Sequence, residues 1–230
     1  MLHQGQDGPM VLARAAEVLE VDGLALALFS GEGASELLWC TNETVQGVED
    51  LQLTLGEGPG IEAGRTKAMV SVPDLVRIPH QRWPGLAAEA VGLVARAVFC
   101  FPVGLGAIGL GVLTAVRLTP GPLTGGQVED ARALADALAV RALDDGGRHL
   151  DGRHPNSSHA LTRAEVHQAT GMLSVQLAVS LPDALLRLRA HAYSSGHPLT
   201  EICQDIVDRR LRLGPHGEGA TPAADKECSP

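Results

Sequence analysis

The segment Gly56-Glu-Gly-Pro-Gly60 is the first place in this sequence where binding chemistry could be expected. Glycine-rich loops bind phosphates through backbone N–H groups, but the nucleotide-binding type ends in Gly-Lys and Ser or Thr, and opens a helix after a strand. Neither condition holds here. The segment therefore predicts a structural turn over a pocket, with direct contact to a ligand as the alternative.

Three histidines spaced five residues apart, His149, His154 and His159, form a second candidate, for a metal ion. Metal ligands must converge on one point and usually need further residues to orient them. These histidines lie instead in a polar stretch rich in glycine. A flexible linker is the preferred interpretation, and neither a metal nor another cofactor is expected.

Cysteine is the third residue type that could do chemistry. Cys40 and Cys100 lie in apolar strand candidates, and a reactive thiol needs exposed, electropositive surroundings. Buried structural thiols are expected, with redox sensing as the alternative. Because no Ser, Cys or Thr has activating neighbours in the sequence, and no pair of acids has a convincing spacing, an enzyme is not predicted.

The distribution of charge matters more than its sum. The net charge of −9 argues against general attraction to nucleic acids. Residues 1–145, however, carry 9 basic against 18 acidic side chains, whereas residues 161–214 carry six arginines against five acids. Residues 161–214 are therefore not acidic overall. Their candidates for phosphate contacts are Arg187, Arg189, Arg209, Arg210 and Arg212, with a solvated face beside Asp205 and Asp208 as the alternative.

The elements of residues 1–145 predict an α+β domain, a mostly antiparallel sheet with flanking helices. Apolar runs separated by glycine turns predict strands, and a 3.6-residue repeat predicts helices. Thr124 and Gln127 have the spacing of a capping box at the start of the last helix. The strands are predicted at 23–30, 36–41, 68–72, 95–102 and 107–118, and the helices at 9–20, 85–93 and 124–143.

Residues 161–214 predict a small all-α domain of three helices. A capping box formed by Thr162 and Glu165 opens the first, the second runs from Ser180 to Gly196, and the third from Pro198 to Leu213. A core of this size supplies only about 3–5 kcal/mol, so a partner surface or a second copy is expected. Residues 146–160 predict a flexible linker and 215–230 a disordered tail.

The segment Thr162-Arg-Ala-Glu-Val-His-Gln-Ala-Thr-Gly-Met-Leu-Ser174 resembles the opening of the ANTAR domain, which has an Arg and then Gln-Ala-Lys-Gly-x-Leu. The similarity continues through Leu188-Arg189 and the stripe from Leu199 to Val207. ANTAR domains are three-helix modules that bind paired RNA hairpins as dimers and prevent transcription termination. The resemblance implies an RNA face with Arg163, Gln168, Thr170 and Gly171, to which the charge distribution adds Arg187 and Arg189. Thr170 stands where the family has lysine.

The front domain resembles a GAF domain of the kind that is fused to ANTAR modules. The residues that carry this resemblance are Leu55-Gly-Glu-Gly-Pro59, Val72-Pro-Asp-Leu75, Trp83-Pro84, Phe101-Pro-Val and Ile108-Gly-Leu-Gly-Val-Leu113. Gly60 stands where such relatives are expected to have cysteine. The resemblance implies a sensor fold, and a small molecule or a protein as its signal.

Together these observations predict a cytoplasmic antitermination regulator that binds RNA hairpins as a homodimer and is controlled by its GAF-like domain. The sequence contains no apolar run of 18 residues and no basic, then apolar, signal segment at its start, so no membrane span is expected. The alternative is a dimeric signalling protein whose ANTAR-like module has lost RNA binding together with the lysine at position 170.

Overall fold

The computed structural model describes residues 7–30, 34–144, 158–214 and 219–220. Contacts between residues divide the chain into two compact units, Met1–Ala160 and Leu161–Pro230. Most of the predicted linker, 146–157, lies outside the described residues. The same holds for the predicted tail, 215–230, except for Gly219–Ala220.

The front unit is built on a five-stranded sheet with the order β2-β1-β5-β4-β3. Every neighbouring pair is antiparallel, so the hairpins β1–β2 and β4–β5 lie side by side and β1 pairs with β5. This confirms the predicted fold class. The strands are β1 (Gly23–Ser30), β2 (Ala34–Cys40), β3 (Val70–Val72), β4 (Ala97–Leu105) and β5 (Ile108–Arg117).

Each face of the sheet has its own hydrophobic core, because successive side chains of a strand point to opposite faces. On β4, Val98 and Cys100 belong to one core, whereas Phe99 and Phe101 belong to the other. The first core is covered by α2 (Glu43–Leu55), α3 (Pro59–Thr66) and α4 (Pro84–Glu89), and the second by α1 (Asp7–Val18) and α5 (Gly125–Asp144). Short 3₁₀ helices span Leu75–Arg77 and Ala90–Gly92.

The capping box predicted at the start of α5 is confirmed. The Thr124 backbone N–H donates to Gln127 Oε1 at 2.9 Å, and the Gln127 N–H donates to Thr124 Oγ1 at 3.3 Å. Gln127 Nε2 also donates to the Leu19 carbonyl at 3.0 Å. The cap therefore also ties the start of α5 to the chain that follows α1.

Helices α2 and α3 were not predicted from the sequence. Asn42 caps α2 by accepting a hydrogen bond from the Val45 N–H at 3.1 Å, yet the buried side of this helix includes Glu49 and Gln52. Polar residues on the buried side hide the apolar repeat. The glycine- and proline-rich segment after α2 predicted a turn, but proline is favoured in a first helical turn, and Pro59 begins α3 there.

The rear unit contains the three predicted helices, α6 (Ser158–Leu177), α7 (Leu181–Ser195) and α8 (Leu199–Val207). They are followed by a two-stranded ladder of β6 (Arg212–Leu213) and β7 (Gly219–Ala220). Each helix buries residues three or four apart, as packing around one core requires. The fully buried side chains of the rear unit include Ala169, Leu173, Ala184, Leu188, Ala192, Leu199 and Cys203.

Two boundaries of the rear unit differ from the prediction. Helix α6 begins at Ser158, so Thr162 lies inside the helix and the predicted capping box is wrong. Helix α8 ends at Val207, because Arg209 adopts a left-handed conformation with φ 60° and the chain then enters β6. The ends of α7 are confirmed, with Ser180 as its N-cap and left-handed Gly196 as its C-cap.

Among the described residues, no single helix has the length and apolar composition needed to cross a membrane. Only Glu165–Leu177 and Leu181–Ser195 taken together meet that criterion, and these two segments are bent by 107°.

Candidate nucleic-acid interface

Helix α6 exposes a continuous row of positions opposite its buried side. Gln168, Gly171 and Val175 are three and four residues apart, so they lie on one face, which we call the α6 ridge. The buried side contains Ala169 and Leu173. Gln168 is exposed, Gly171 is half-buried and Val175 is 85% exposed. The structure therefore brings Gln168 and Gly171 together on a surface open to a partner.

The α6 ridge offers contacts that suit unpaired or looped RNA. The Gln168 amide can both donate and accept hydrogen bonds at a base edge. A Cβ placed on Gly171 would meet no other atom within 4 Å among the described residues, so another molecule can approach the helix backbone there. Val175 provides apolar contact. None of the three side chains carries a charge.

Thr170 does not belong to this surface, contrary to the prediction. Its side chain is only 8% exposed, and its hydroxyl donates to the Val166 carbonyl at 2.6 Å. Position 170 faces the core because it lies four residues after Val166 and three before Leu173. A lysine in place of this threonine would have to leave the core to keep its charge in water, so Thr170→Lys does not simply restore a surface cation.

Of the arginines predicted to contact RNA, the structure describes the surroundings of Arg187 and Arg189, which lie on different sides of α7. Arg163 lies within α6, and its side chain is outside the described part of the chain. Arg187 and Arg189 are both half-buried, and because they are two residues apart they lie on opposite flanks of the buried side of α7. Burial lowers the pKa of Arg189. The two residues therefore do not lie on one face of α7.

The arginine-rich end of α8 favours the solvated-face interpretation. Arg210 Nε contacts Asp205 Oδ1 at 2.8 Å, and Arg210 Nη1 contacts Asp208 Oδ2 at 2.8 Å. The hydrogen bond to Asp205 is the main cause of the raised pKa of Arg210. Two carboxylates already neutralise this guanidinium, so it adds little attraction for phosphate.

The segment Gly56–Gly60 is a structural connection between helices. Gly56 is the left-handed C-cap of α2 with φ 70°, and the Gly60 N–H donates to Gln52 Oε1 at 2.6 Å. Glu57 Oε1 accepts from the backbone N–H of Gly85 at 2.6 Å, at the start of α4. Because Gly60 already donates to a side chain of the protein, and Glu57 adds a negative charge, the segment is poorly suited to bind phosphate.

The described residues contain no group of three or more His, Cys, Asp or Glu side chains that could hold a metal ion. The side chains of His149, His154 and His159 lie outside the described part of the chain.

Two of the thiols are deeply buried. Cys100 is fully buried beside Thr114 Oγ1 at 3.6 Å, and desolvation, followed by the Glu49 carboxylate, raises the pKa of its thiol. Desolvation, followed by Glu165, raises the pKa of Cys203 to about 12. Since the thiolate is the reactive form, neither cysteine suits a redox sensor.

We expect iodoacetamide to leave Cys100 and Cys203 unlabelled in the folded chain at mildly alkaline pH and to label both in concentrated guanidinium chloride. Peptide mapping by mass spectrometry measures the labelling of each cysteine separately. Rapid labelling of Cys100 in the native protein would contradict its burial and would restore the redox hypothesis.

Comparison with known proteins relates both units to known domains. Residues 158–207 match the family model of the ANTAR domain. The GAF domain of a phosphoenolpyruvate-protein phosphotransferase from Coxiella burnetii is similar to the front unit, with a TM-score of 0.50 and 21% identity over 62% of this chain and 86% of that chain. The second GAF domain of DevS from Mycobacterium smegmatis has a TM-score of 0.44 and 19% identity over 62% of this chain and 95% of that chain. No curated protein matches the chain significantly.

The match of residues 158–207 to the ANTAR domain, a family of RNA-binding regulators, supports a regulator with an RNA-binding domain. More specifically, the chain joins a domain with the GAF fold to an ANTAR domain, in that order.

Proposed function

We propose that the protein binds RNA hairpins through the α6 ridge and prevents transcription termination in the cytoplasm, as a homodimer. In this proposal the GAF-fold domain controls either dimerisation or the exposure of the ANTAR domain. The observation that carries the proposal is the open, uncharged row of Gln168, Gly171 and Val175 on the first helix of an ANTAR domain.

The composition of the ridge predicts how the RNA is recognised. Each phosphate contact contributes about 0.7–0.9 to the slope of log affinity against log salt concentration. The ridge carries no cation, and Arg210 is paired with two acids, so few phosphates are contacted. Shape and base-edge hydrogen bonds then supply most of the specificity, and we expect a shallow salt dependence.

Replacing Gln168 by alanine is expected to weaken binding of a two-hairpin leader RNA about tenfold, the cost of losing paired hydrogen bonds to a base. Fluorescence anisotropy with the full chain measures the affinity. Gln81→Ala is the matched control, because it removes an equally exposed amide from the front unit and should leave affinity unchanged. Equal affinities of the wild type and Gln168→Ala would exclude the α6 ridge as the RNA face.

A dimeric interaction protein without RNA binding is the second candidate, and one observation favours it. Leu186 and Tyr193 of α7 are 64% and 56% exposed and lie seven residues apart on the same face. Titration of the Leu186→Glu variant with one hairpin separates the two candidates, and sedimentation without RNA shows whether the substitution breaks the dimer. In the interaction protein the substitution breaks the dimer and no hairpin binds, whereas in the antitermination regulator a single hairpin still binds.

A further inference from the structure

A cavity of about 490 Å³ lies at one end of the sheet in the front unit. Its walls come from the end of β3 and the segment that leads to α4, residues 71–74, 77–79 and 82–83, and from residues 120–121 in the loop between β5 and α5. This volume falls within the usual range for small-molecule sites. Val72, Ile78 and three prolines line much of the cavity, so it has an apolar body with a charged rim.

The single acid of the cavity is already neutralised. Asp74 Oδ1 accepts from Arg96 Nη2 at 3.2 Å and from the Val76 N–H at 3.2 Å, while Asp74 Oδ2 contacts Arg77 Nε at 3.3 Å. Both carboxylate oxygens of Asp74 therefore have partners within the protein.

Of the two arginines at the cavity, Arg82 is held in a fixed position. Its Nη2 donates to Glu62 Oε1 at 2.7 Å and its Nε to Glu62 Oε2 at 3.3 Å, and its guanidinium lies 4.2 Å from the centre of the Trp83 ring. The hydrogen bond from Arg82 is the main reason that the pKa of Glu62 is lowered. A guanidinium clamped in this way loses little further entropy when a ligand binds.

The arginines also have donors to spare. A guanidinium has five N–H groups, and the contacts just described use two from Arg82 and one from Arg77. Their other N–H groups have no acceptor among the described residues, and Arg77 is 86% exposed at the rim. Counted with their ion-pair partners Arg96 and Glu62, the residues Arg77, Arg82 and Asp74 make three cations against two acids, and so one net positive charge, within residues 1–145 that carry 9 basic against 18 acidic side chains. Anions are therefore drawn to this point of an otherwise acidic domain.

We propose that this cavity binds a small monocarboxylate with an apolar body. The planar guanidinium fork of Arg77 or Arg82 matches a carboxylate, and Val72, Ile78 and the prolines receive the apolar part. A monoanion also balances the single net charge of the lining.

The wall of the cavity is connected to helix α5. The Gly121 N–H donates to the Pro73 carbonyl at 2.8 Å, across the cavity wall, and Arg117 Nη1 donates to the Pro122 carbonyl at 3.2 Å. This loop leads directly into α5, the last described helix of the front unit before the ANTAR domain. The ligand class deepens the proposed function, since it names the signal that the GAF-fold domain takes.

Isothermal titration of the full chain with benzoate and with pentanoate tests the proposal. At least one of the two is expected to bind saturably, and its neutral amide, benzamide or pentanamide, at least tenfold more weakly because the charge-assisted hydrogen bonds are lost. Saturable binding of neither acid, or an amide that binds as tightly as its acid, would overturn the proposal.

Three variants locate the site. At least one of Arg77→Gln and Arg82→Gln is expected to weaken carboxylate binding about tenfold, whereas Arg132→Gln, which removes the same charge from an exposed position on α5, should leave it unchanged. No loss in either cavity variant, or an equal loss in all three, would overturn the assignment of the carboxylate to this cavity. Because no RNA is present, failure of the RNA hypothesis leaves this result unaffected.

Discussion

Gly111→Ala is expected to lower the free energy of unfolding of the front domain by about 3 kcal/mol, the upper part of the range for overpacking. Gly111 lies in β5 opposite Leu28 of β1. A Cβ on Gly111 would lie 2.1 Å from the Ala27 carbonyl oxygen and 2.9 Å from Leu28 Cα. These are backbone atoms, so no change of rotamer relieves the clash and the two central strands must separate.

Gly109→Ala is the matched control, because it makes the same change two residues away in the same strand. Among the described residues, a Cβ on Gly109 would meet only Lys67 Cε, at an ordinary 3.7 Å. Urea unfolding followed by circular dichroism gives the midpoint of each variant. A large loss for Gly111→Ala with less than about 0.5 kcal/mol for Gly109→Ala is expected. Similar midpoints for the two variants would show that β1 and β5 are not in this register.

These two glycines illustrate what the sequence could not reveal. Both interrupt the same predicted strand, and nothing in their neighbours separates one from the other. The difference arises from β1, about 80 residues earlier in the chain, which passes close to Gly111 and not to Gly109. Strand positions could be predicted because apolar runs bounded by glycines are local signals. Contacts across the sheet could not.

Helix α2 is a second case in which the local sequence does not reveal a contact. Its buried positions include Glu49 and Gln52, and the Gln52 side chain accepts a hydrogen bond from the Gly60 N–H. A Cβ on Gly60 would approach Gln52 Oε1 at 3.1 Å, so Gln52 occupies much of the space that a larger residue at position 60 would need. A glutamine that faces inwards to support a loop looks, in the sequence, like a solvent-exposed residue.

In the ANTAR domain the motif indicates a candidate RNA surface, but helical geometry decides which of the motif's residues are exposed. Gln168, Thr170 and Gly171 are neighbours in the sequence, yet at 100° per residue Thr170 faces the core with Val166. That signal was available, since positions 166, 170 and 173 have the spacing of a buried stripe. The sequence also offered Asp205 and Asp208 as neighbours of the arginines, but not that both acids pair with Arg210, which follows a left-handed turn at Arg209.

Gly171→Ala is expected to change stability and RNA affinity in opposite directions. Alanine is better than glycine within a helix by about 0.5–1 kcal/mol, and no other described atom lies within 4 Å of the new Cβ, so the ANTAR domain becomes more stable. The same methyl group stands on the α6 ridge between Gln168 and Val175. If RNA approaches the helix backbone there, a clash of about 1–3 kcal/mol lowers affinity by roughly 5- to 150-fold.

Gly47→Ala is the control for this experiment. Gly47 is an exposed glycine within α2, and a Cβ on it would also meet nothing within 4 Å among the described residues. It should raise the stability of the front domain by a similar amount and leave RNA binding unchanged. Urea unfolding and anisotropy titration of both variants give the two quantities separately. The Gly171→Ala variant could be stabilised and still bind the two-hairpin RNA as tightly as the wild type. That result would show that the RNA does not approach the helix backbone at residue 171, and the recognition surface would then have to be sought elsewhere on the ANTAR domain.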